Sequence, residues 1–406
     1  MCFTIRVAPA WLRKEIRKEP KQSMNEFGFY VSRVGLDQVL IAAAVGAEPE
    51  SDAAIVEAIY RKLDAALEAH GARILIERVF GNLKFCESFK KIRKKIFGSA
   101  AGPFSYIQGS PCKGEGLAGV QVHAVRSTSD EDYWLISDGS SSCGYGWKRG
   151  GTTYVDLVGI TGSVPGTVPK SDQAASMFDI INRILATQGL SFRDVRRTWI
   201  YLEDILGWYS EFNAIRNKKF KGLDLIPPNF SDSEIDHLCL PASTGIGGDN
   251  IHGVACSSDV LAISGDIRFS VLPGVSQRSA FRYGSAFSRG ICIDEKDCRQ
   301  IYVSGTAAID ENGISLCKGN VEGQIERTLE IVEALIGEKG AKLSDIGSAT
   351  VYLKRPGDLS LYKRVAARHN LLNMPAVIVN ADICRDDLLF EMDAVAIVNI
   401  PEPLAL

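Results

Sequence analysis

Residues 322–353 read EGQIERTLEIVEALIGEKGAKLSDIGSATVYL, and one periodicity gives way to another within them. In the first half Ile325, Leu329, Val332, Leu335 and Ile336 recur at three- and four-residue steps, which predicts an amphipathic helix that stops near Gly340. In the second half SATVYL is short and β-branched, the pattern of a strand. Ahead of this pair, IYVSGTAAI (301–309) alternates as a strand and leads through a Gly/Asn turn. Behind it, LSLYKRVAARHN (359–370) predicts a second helix, and a last extended segment runs from Pro375 to Val398.

The same order occurs twice more. YVDLVGI (154–160) predicts a strand and DQAASMFDIINRILATQGL (172–190) a helix with Met177, Ile181, Ile184 and Leu185 on its apolar face. Gln173 and Gly189 match Gln324 and Gly340 at one constant offset, as RRTWIYL (196–202) matches GSATVYL (347–353). WYSEFNAIRNKKF (208–220) is the second helix, and 241–264 closes the segment. A weaker copy lies upstream: QVLIAAAV (38–45), AAIVEAIYRKLDAALEAHGA (53–72), SFKKIRKKIF (88–97) and the terminal stretch 103–125. Three units follow, at 1–125, 126–270 and 271–406, with an extra hairpin expected in the loop 126–151. Helices packed on one sheet face give an α+β class. Symmetric closure of three such units predicts a pseudo-trimeric β-barrel core with helices outside; the alternative is a linear row of three domains.

At 406 residues, 46% hydrophobic and 23% charged, the chain can bury a sizeable core. A net charge of −3 gives no reason to expect nucleic acid. The basic cluster Lys90, Lys91, Arg93, Lys94 and Lys95 is expected to be a solvated helix face. Ten scattered cysteines without CxxC and only five histidines argue against zinc, so no metal and no cofactor is expected. MCFTIRVAPAWLRKEIRKEP (1–20) lacks an unbroken apolar run, which argues against a signal peptide, and no run is long enough to cross a membrane. A cytoplasmic protein with reduced thiols is expected. TGIGG (244–248) lacks the further residues of a phosphate loop and is expected to be a turn where backbone approaches a neighbouring unit.

VSGTAAID (303–310), GQIERTLEIVEAL (323–335), VYL (351–353) and PAVIVNADICRDDLLFEMDAVAIV (375–398) resemble the Rid (YjgF/YER057c/UK114) superfamily, small chains that form trimers with clefts between subunits. RTWIYLEDILGWYSEFNAIR (197–216), PASTGIG (241–247), YGSAFSRG (283–290) and SGTAAI (304–309) are similar to the chorismatases, which look like fused Rid units, related in fold to chorismate mutase, and hydrolyse chorismate. In the chorismatase pattern, histidines follow the Gly-Thr motif. IDENGISLCKGN (309–320) has none, so the expected substrate is chorismate or a related enolpyruvyl cyclic acid. On this resemblance Ser288, Arg289 and Thr306 are expected to contact the substrate.

The chemistry concentrates in NADICRDDLLFEMDA (380–394). Aligned without gaps, Cys384 and Arg385 fall opposite Cys112 and Lys113 in the first copy and Asn250 and Ile251 in the second. Glu391 falls opposite Gly119 and Ser257, so the full set occurs once. AVIVNA and LLFEMDAVAIV read as strands joined by a bend at DICRDD. In the second run Leu388, Phe390, Met392 and Ala394 are expected on one face, with Leu389, Glu391, Val395 and Ile397 on the other. Both faces are apolar, so burial is expected to raise the Glu391 pKa, with Arg385 acting in the opposite sense. A neutral carboxyl can protonate an enol ether, and arginine suits a carboxylate by its planar fork. Arg385 is the first clamp and Arg197 or Arg216 the second. Trp199 and Tyr201 either wall the substrate or belong to the core, and Cys384 is a wall residue rather than a nucleophile.

Three functions stay open on the sequence: a chorismatase-like hydrolase that releases pyruvate, a Rid-type deaminase of 2-imino acids with Arg385 on the carboxylate and Glu391 on the water, and a non-catalytic binder of small acids. In each the partner is a small carboxylic acid, and a chain that supplies its own neighbours is expected to be a monomer or weak homodimer.

Overall fold

In the first sheet, β1 (Phe27–Val34) and β2 (Gln38–Val45) form an antiparallel hairpin that turns at Gly35, whose φ of +57° favours a residue without Cβ. Then come α1 (Asp52–His70), β3 (Arg73–Gly81), α2 (Cys86–Phe97), β4 (Ser105–Gln108) and β5 (Leu117–Val125). The strand order is β1-β2-β5-β3-β4: β5 sits antiparallel between β2 and β3, and β4 joins β3 in parallel at the edge. This computed structural model describes residues 27–46, 52–98, 101–127, 129–162, 168–274 and 277–400, so the stretch 1–20 read above lies outside the described residues.

The second sheet contains β6 (Tyr133–Ser137), β7 (Ser142–Arg149), β8 (Thr152–Thr161), β9 (Val195–Leu202), β10 (Ala242–Gly247) and β11 (Cys256–Ser264), with α3 (Lys170–Thr187) and α4 (Ile205–Gly222). Its order is β6-β7-β8-β11-β9-β10, and the hairpin expected in 126–151 is β6–β7. The third contains β12 (Arg268–Leu272), β13 (Gly290–Asp294), β14 (Cys298–Ala307), β15 (Ile346–Leu353), β16 (Ala376–Asn380) and β17 (Phe390–Asn399), with α5 (Val321–Gly337) and α6 (Leu359–Arg368), in the order β12-β13-β14-β17-β15-β16. The fold is therefore α+β, with three sheets and six α-helices among the described residues.

Each sheet has two different faces. Helices cover the outer one: Ile325, Leu329 and Val332 of α5 pack with Val303, Val351 and Met392 of the strands beneath. Each such side chain contributes about 1.5–3 kcal/mol by leaving water, which outweighs helix propensity in fixing α5. The inner faces of all three sheets share one core, where Phe80 lies edge-on to Tyr201 and Tyr352 at 6.2 and 6.4 Å between ring centroids.

The closed barrel expected from the sequence is not formed by the described residues. The strands make three separate sheets because their backbones pair from sheet to sheet only in isolated bridges at the ends of the edge strands among the described residues. At those tips Gln108 N–H donates to Asp249 O at 2.9 Å, Gly247 N–H to Asp382 O at 2.8 Å and Asn380 N–H to Ser110 O at 2.9 Å. The TGIGG reading was right about close approach and wrong about the turn. Gly247 lies in β10, and a Cβ there would come within 2.9 Å of Asp382. The basic helix face needs correction too. Arg93 is buried on α2 and pairs with Glu77 at 2.6 Å, since a buried carboxylate on β3 requires a cation beside it. Among the described residues no helix is long and apolar enough to cross a membrane.

Candidate active site

A cavity of about 430 Å³ lies where the second sheet meets the third. The second sheet presents Ser243 and Gly245 from β10 and Tyr209 and Asn213 from α4. The third presents Tyr283, Arg289, Gly305, Cys384, Arg385 and Glu391. The contact is set by serine side chains. Ser243 N–H donates to Ser304 Oγ at 2.9 Å, Ser304 Oγ donates to Ser288 O at 2.6 Å, and Ser288 N–H donates to Pro241 O at 3.1 Å.

The pairing of β14 with β17 slips between Val303 and Thr306, a bulge that leaves Ser304 and Gly305 out of register. Beyond it Glu391 stands opposite Ala307 on one side and Tyr352 on the other. Gly305 provides the room for the acid: a Cβ there would lie 2.2 Å from Glu391 Oε1. The carboxyl is 4% exposed, and burial pushes its pKa up to about 8, with Asp393 adding to the rise. The opposing cations are Arg197 and Arg289, not the Arg385 expected from the sequence. The reason is distance along the bend: Arg385 Nη1 donates to Gly313 O and its guanidinium lies 5.7 Å from the Tyr283 ring.

The Arg289 guanidinium also lies near the Tyr283 ring, at 5.3 Å. Its Nε donates to Arg278 O at 3.0 Å, while Nη2 is buried and has no hydrogen-bond partner among the described residues. Two guanidiniums thus lie close to one phenol at the wall of the cavity that holds Glu391. Burial pushes the Cys384 thiol up to about 12, consistent with a wall residue and not with a thiolate nucleophile. Burial also raises the Tyr209 phenol, so it stays protonated at neutral pH and can donate a hydrogen bond. Its ring lies over Gly245, where a Cβ would come within 3.3 Å.

Glu391, Arg385, Cys384 and Arg289 therefore meet at the cavity, and the other expected residues do not line it. Arg197 is 1% exposed and turned into the shared core, where Asp393 and Thr244 hold it. Trp199 faces inward as well, with the guanidiniums of Arg78 and Arg197 at 3.7 and 4.6 Å from its ring. Tyr201 is in the central core beside Phe80, because both aromatics alternate onto the inner face of β9. Arg216 lies behind the wall, bonded to Asn213 Oδ1 and 5.3 Å from the Phe287 ring. Ser288 and Thr306 do not line it either: Ser288 Oγ is buried with no hydrogen-bond partner among the described residues, and Thr306 Oγ1 donates to Ser304 O at 2.8 Å. Leu388 and Leu389 precede β17, and Leu388 faces the core while Leu389 packs under the helices, the reverse of the strand alternation.

Tyr209, Asn213, Ser243 and Tyr283 were not picked out from the sequence, although they lie in the motifs quoted for the resemblance. Tyr209 and Asn213 share a helix face by their spacing of four, and Ser243 and Gly245 share a strand face by their spacing of two. Asp393 had the same signal, since it alternates with Glu391.

The family described as Endoribonuclease L-PSP matches residues 279–398, the part that supplies Glu391, Arg385 and Arg289. A RutC family protein of Pyrococcus abyssi is 34% identical over 97 residues, 24% of this chain and 76% of that one. Similarity to chorismatases extends further: 28% identity over 304 residues with one from Streptomyces rapamycinicus, 69% of this chain and 87% of that one, and 26% over 245 residues with one from Streptomyces hygroscopicus, 55% and 67% respectively. A crystal structure of a chorismatase superposes with a TM-score of 0.60 over 80% of this chain and 93% of that one, at 18% identity, which shows a shared fold. By sequence, the chain belongs to the Rid (YjgF/UK114, RutC) superfamily and stands near its chorismatases.

Proposed function

We propose that the protein is a chorismatase-like hydrolase that removes pyruvate from chorismate or a related enolpyruvyl cyclic acid. The observation that carries this reading is a buried carboxyl, held neutral to about pH 8, that opens into a cavity with two guanidiniums. Glu391 donates its proton to the methylene carbon of the enol ether, and the electron pair of the double bond forms the new C–H bond. Water adds to the resulting oxocarbenium carbon. The added water gives one proton back to the Glu391 carboxylate, and the hemiketal then breaks its bond to the ring oxygen, which takes up the hemiketal hydroxyl proton to leave pyruvate and a hydroxylated ring acid. Arg289 and Arg385 bind the two substrate carboxylates, with the free Nη2 of Arg289 as one donor. Tyr209 and Asn213 hydrogen-bond the ring substituents from α4.

The architecture we propose is three tandem Rid-like units, 1–125, 126–270 and 271–406, about a pseudo-threefold axis. The equivalent strand orders support it, as does the ring of three tip-to-tip backbone bonds. Glu391, Ser257 and Gly119 also take one register position, opposite Tyr352, Tyr201 and Phe80 respectively. Neighbouring units then supply both walls of the cleft within one chain, and a monomer or weak homodimer suffices.

The test is pyruvate release from chorismate. Glu391→Gln is expected to lose about 10²–10⁴-fold in turnover. Since only the protonated acid donates, kcat/KM should fall as pH rises through about 8. Absence of pyruvate from chorismate and its enolpyruvyl relatives would sink the reading. The match of residues 279–398 to the Endoribonuclease L-PSP family supports a second reading, hydrolysis of 2-imino acids, for which Arg385→Ala should abolish turnover of an enzymatically generated imine.

A further inference from the structure

Glu391 and Asp393 project from the same face of β17, and one buried guanidinium, that of Arg197, lies within reach of both fields. The contacts assign it to Asp393. Arg197 Nη2 is 3.5 Å from Asp393 Oδ2 and donates to Thr244 Oγ1 at 2.5 Å, and Thr244 Oγ1 donates to the same Oδ2 at 2.9 Å. Thr350 Oγ1 and Tyr352 OH complete the shell of Asp393 at 3.2 Å each.

Thr244 divides the two carboxyls. Its Cγ2 lies 3.3 Å from the point a Gly305 Cβ would occupy, and Glu391 Oε1 lies 2.2 Å from that same point. The Thr244 methyl and the Glu391 carboxyl thus both border Gly305, while the Thr244 hydroxyl bonds Asp393 and Arg197. No side-chain hydrogen bond reaches Glu391 among the contacts of the described residues, whereas Asp393 accepts three.

We propose that Asp393 is a positioning residue for Glu391: with Thr244 it holds Arg197 on the core side of β17, so that this guanidinium does not pair with the Glu391 carboxyl and the acid stays free to carry a proton into the cavity. The proposal rests on reading Glu391 as the proton donor. An acid paired with arginine would be ionised at neutral pH and could not donate. The other groups that face Glu391 are Arg289 ahead of β13, Cys384 in the bend, Tyr209 on α4 and Tyr352 on β15. Arg78 on β3 and Tyr201 on β9 face Asp393.

Titration of the Glu391 carboxyl tests this without any substrate. It is followed by carbon NMR on protein with labelled glutamate and assigned by loss of the signal in Glu391→Gln. Asp393→Asn is expected to lower the proton affinity of Glu391 about tenfold or more when Arg197 is present, and much less in an Arg197→Gln background. Thr244→Val removes the shared hydroxyl without changing any charge, is expected to lower it in the same direction, and carries the test if Asp393→Asn does not fold. An equal drop in both Arg197 backgrounds, or none in either Asp393→Asn or Thr244→Val, overturns the proposal. If wild type releases no pyruvate while the titrations behave as stated, the hydrolase reading fails and the positioning role stands. If pyruvate forms and the titrations do not move, the positioning role alone fails.

Discussion

Gly305 makes Glu391 usable, because the acid's oxygen occupies the space where any other residue would place its Cβ, 2.2 Å away. Gly305→Ala must therefore rotate the carboxyl out of its seat or shift the bulge at Ser304–Gly305. The expected outcome is a loss of pyruvate release of about tenfold or more, with little change in melting temperature, because the added methyl borders a cavity and not a packed core. Kinetics and a thermal melt on the same variant check it, and unchanged turnover would remove the steric argument. At this scale the sequence told much: an acid in a strand with two apolar faces had to be desolvated, and burial does raise Glu391. It did not tell which arginine opposes the rise. That depends on where a guanidinium ends after four or five rotatable bonds. Arg385 turned to Gly313, while Arg197 turned inward to Asp393.

The position that holds Glu391 in the third sheet holds Gly119 in the first, and the surroundings there leave no room for a side chain. A Cβ on Gly119 would lie 2.5 Å from Ala43 O and 2.7 Å from Val377 Cγ1, so β16 of the third sheet fills the place that the cavity occupies elsewhere. Gly119→Ala is expected to cost about 1–3 kcal/mol in urea unfolding, as overpacking does. A cost near zero would mean that the two sheets can slide apart there. Element order and helix faces were legible because periodicity is local: α3, α5 and β15 lie where their patterns put them. The bulge in β14 was not legible, since it comes from a register between strands some 90 residues apart. Nor was the inward turn of Arg93, which only the placement of Glu77 beneath α2 requires.

The shared core of the three sheets contains ionisable groups that the proposed chemistry does not use. Burial pushes the Asp156 carboxyl up to about 8 and the His123 imidazole down to about 4. For Asp156 and Glu391 the folded pKa lies above the ordinary 3.8 and 4.5, so the folded state holds protons that the unfolded chain releases. Their stabilisation is complete below the unfolded values and is lost as pH rises through about 8. His123 has the opposite sign: its contribution is present above 6.5 and is lost as pH falls toward 4. Of these three groups only the two carboxyls act above pH 6.5, each at up to about 1.4 kcal/mol per pH unit. Unfolding free energy should therefore decline from pH 6.5 to 8, and Asp156→Asn should flatten that decline. Urea titrations at several pH values check this; a flat or rising profile in wild type would contradict it.

The sequence by itself determined the superfamily, the α+β class, the succession of helices and strands, and the stretch that carries the acid and an arginine, because each is written in local periodicity or in a short motif. Tertiary structure alone decided that the sheets remain separate around one shared core, that α4 and β10 of the second sheet build half of the cavity, and that Arg197, Trp199 and Tyr201 serve the core. The reason is physical. A strand face is fixed by alternation, but which of two buried neighbours a long charged side chain pairs with is fixed by the sheet that packs against it.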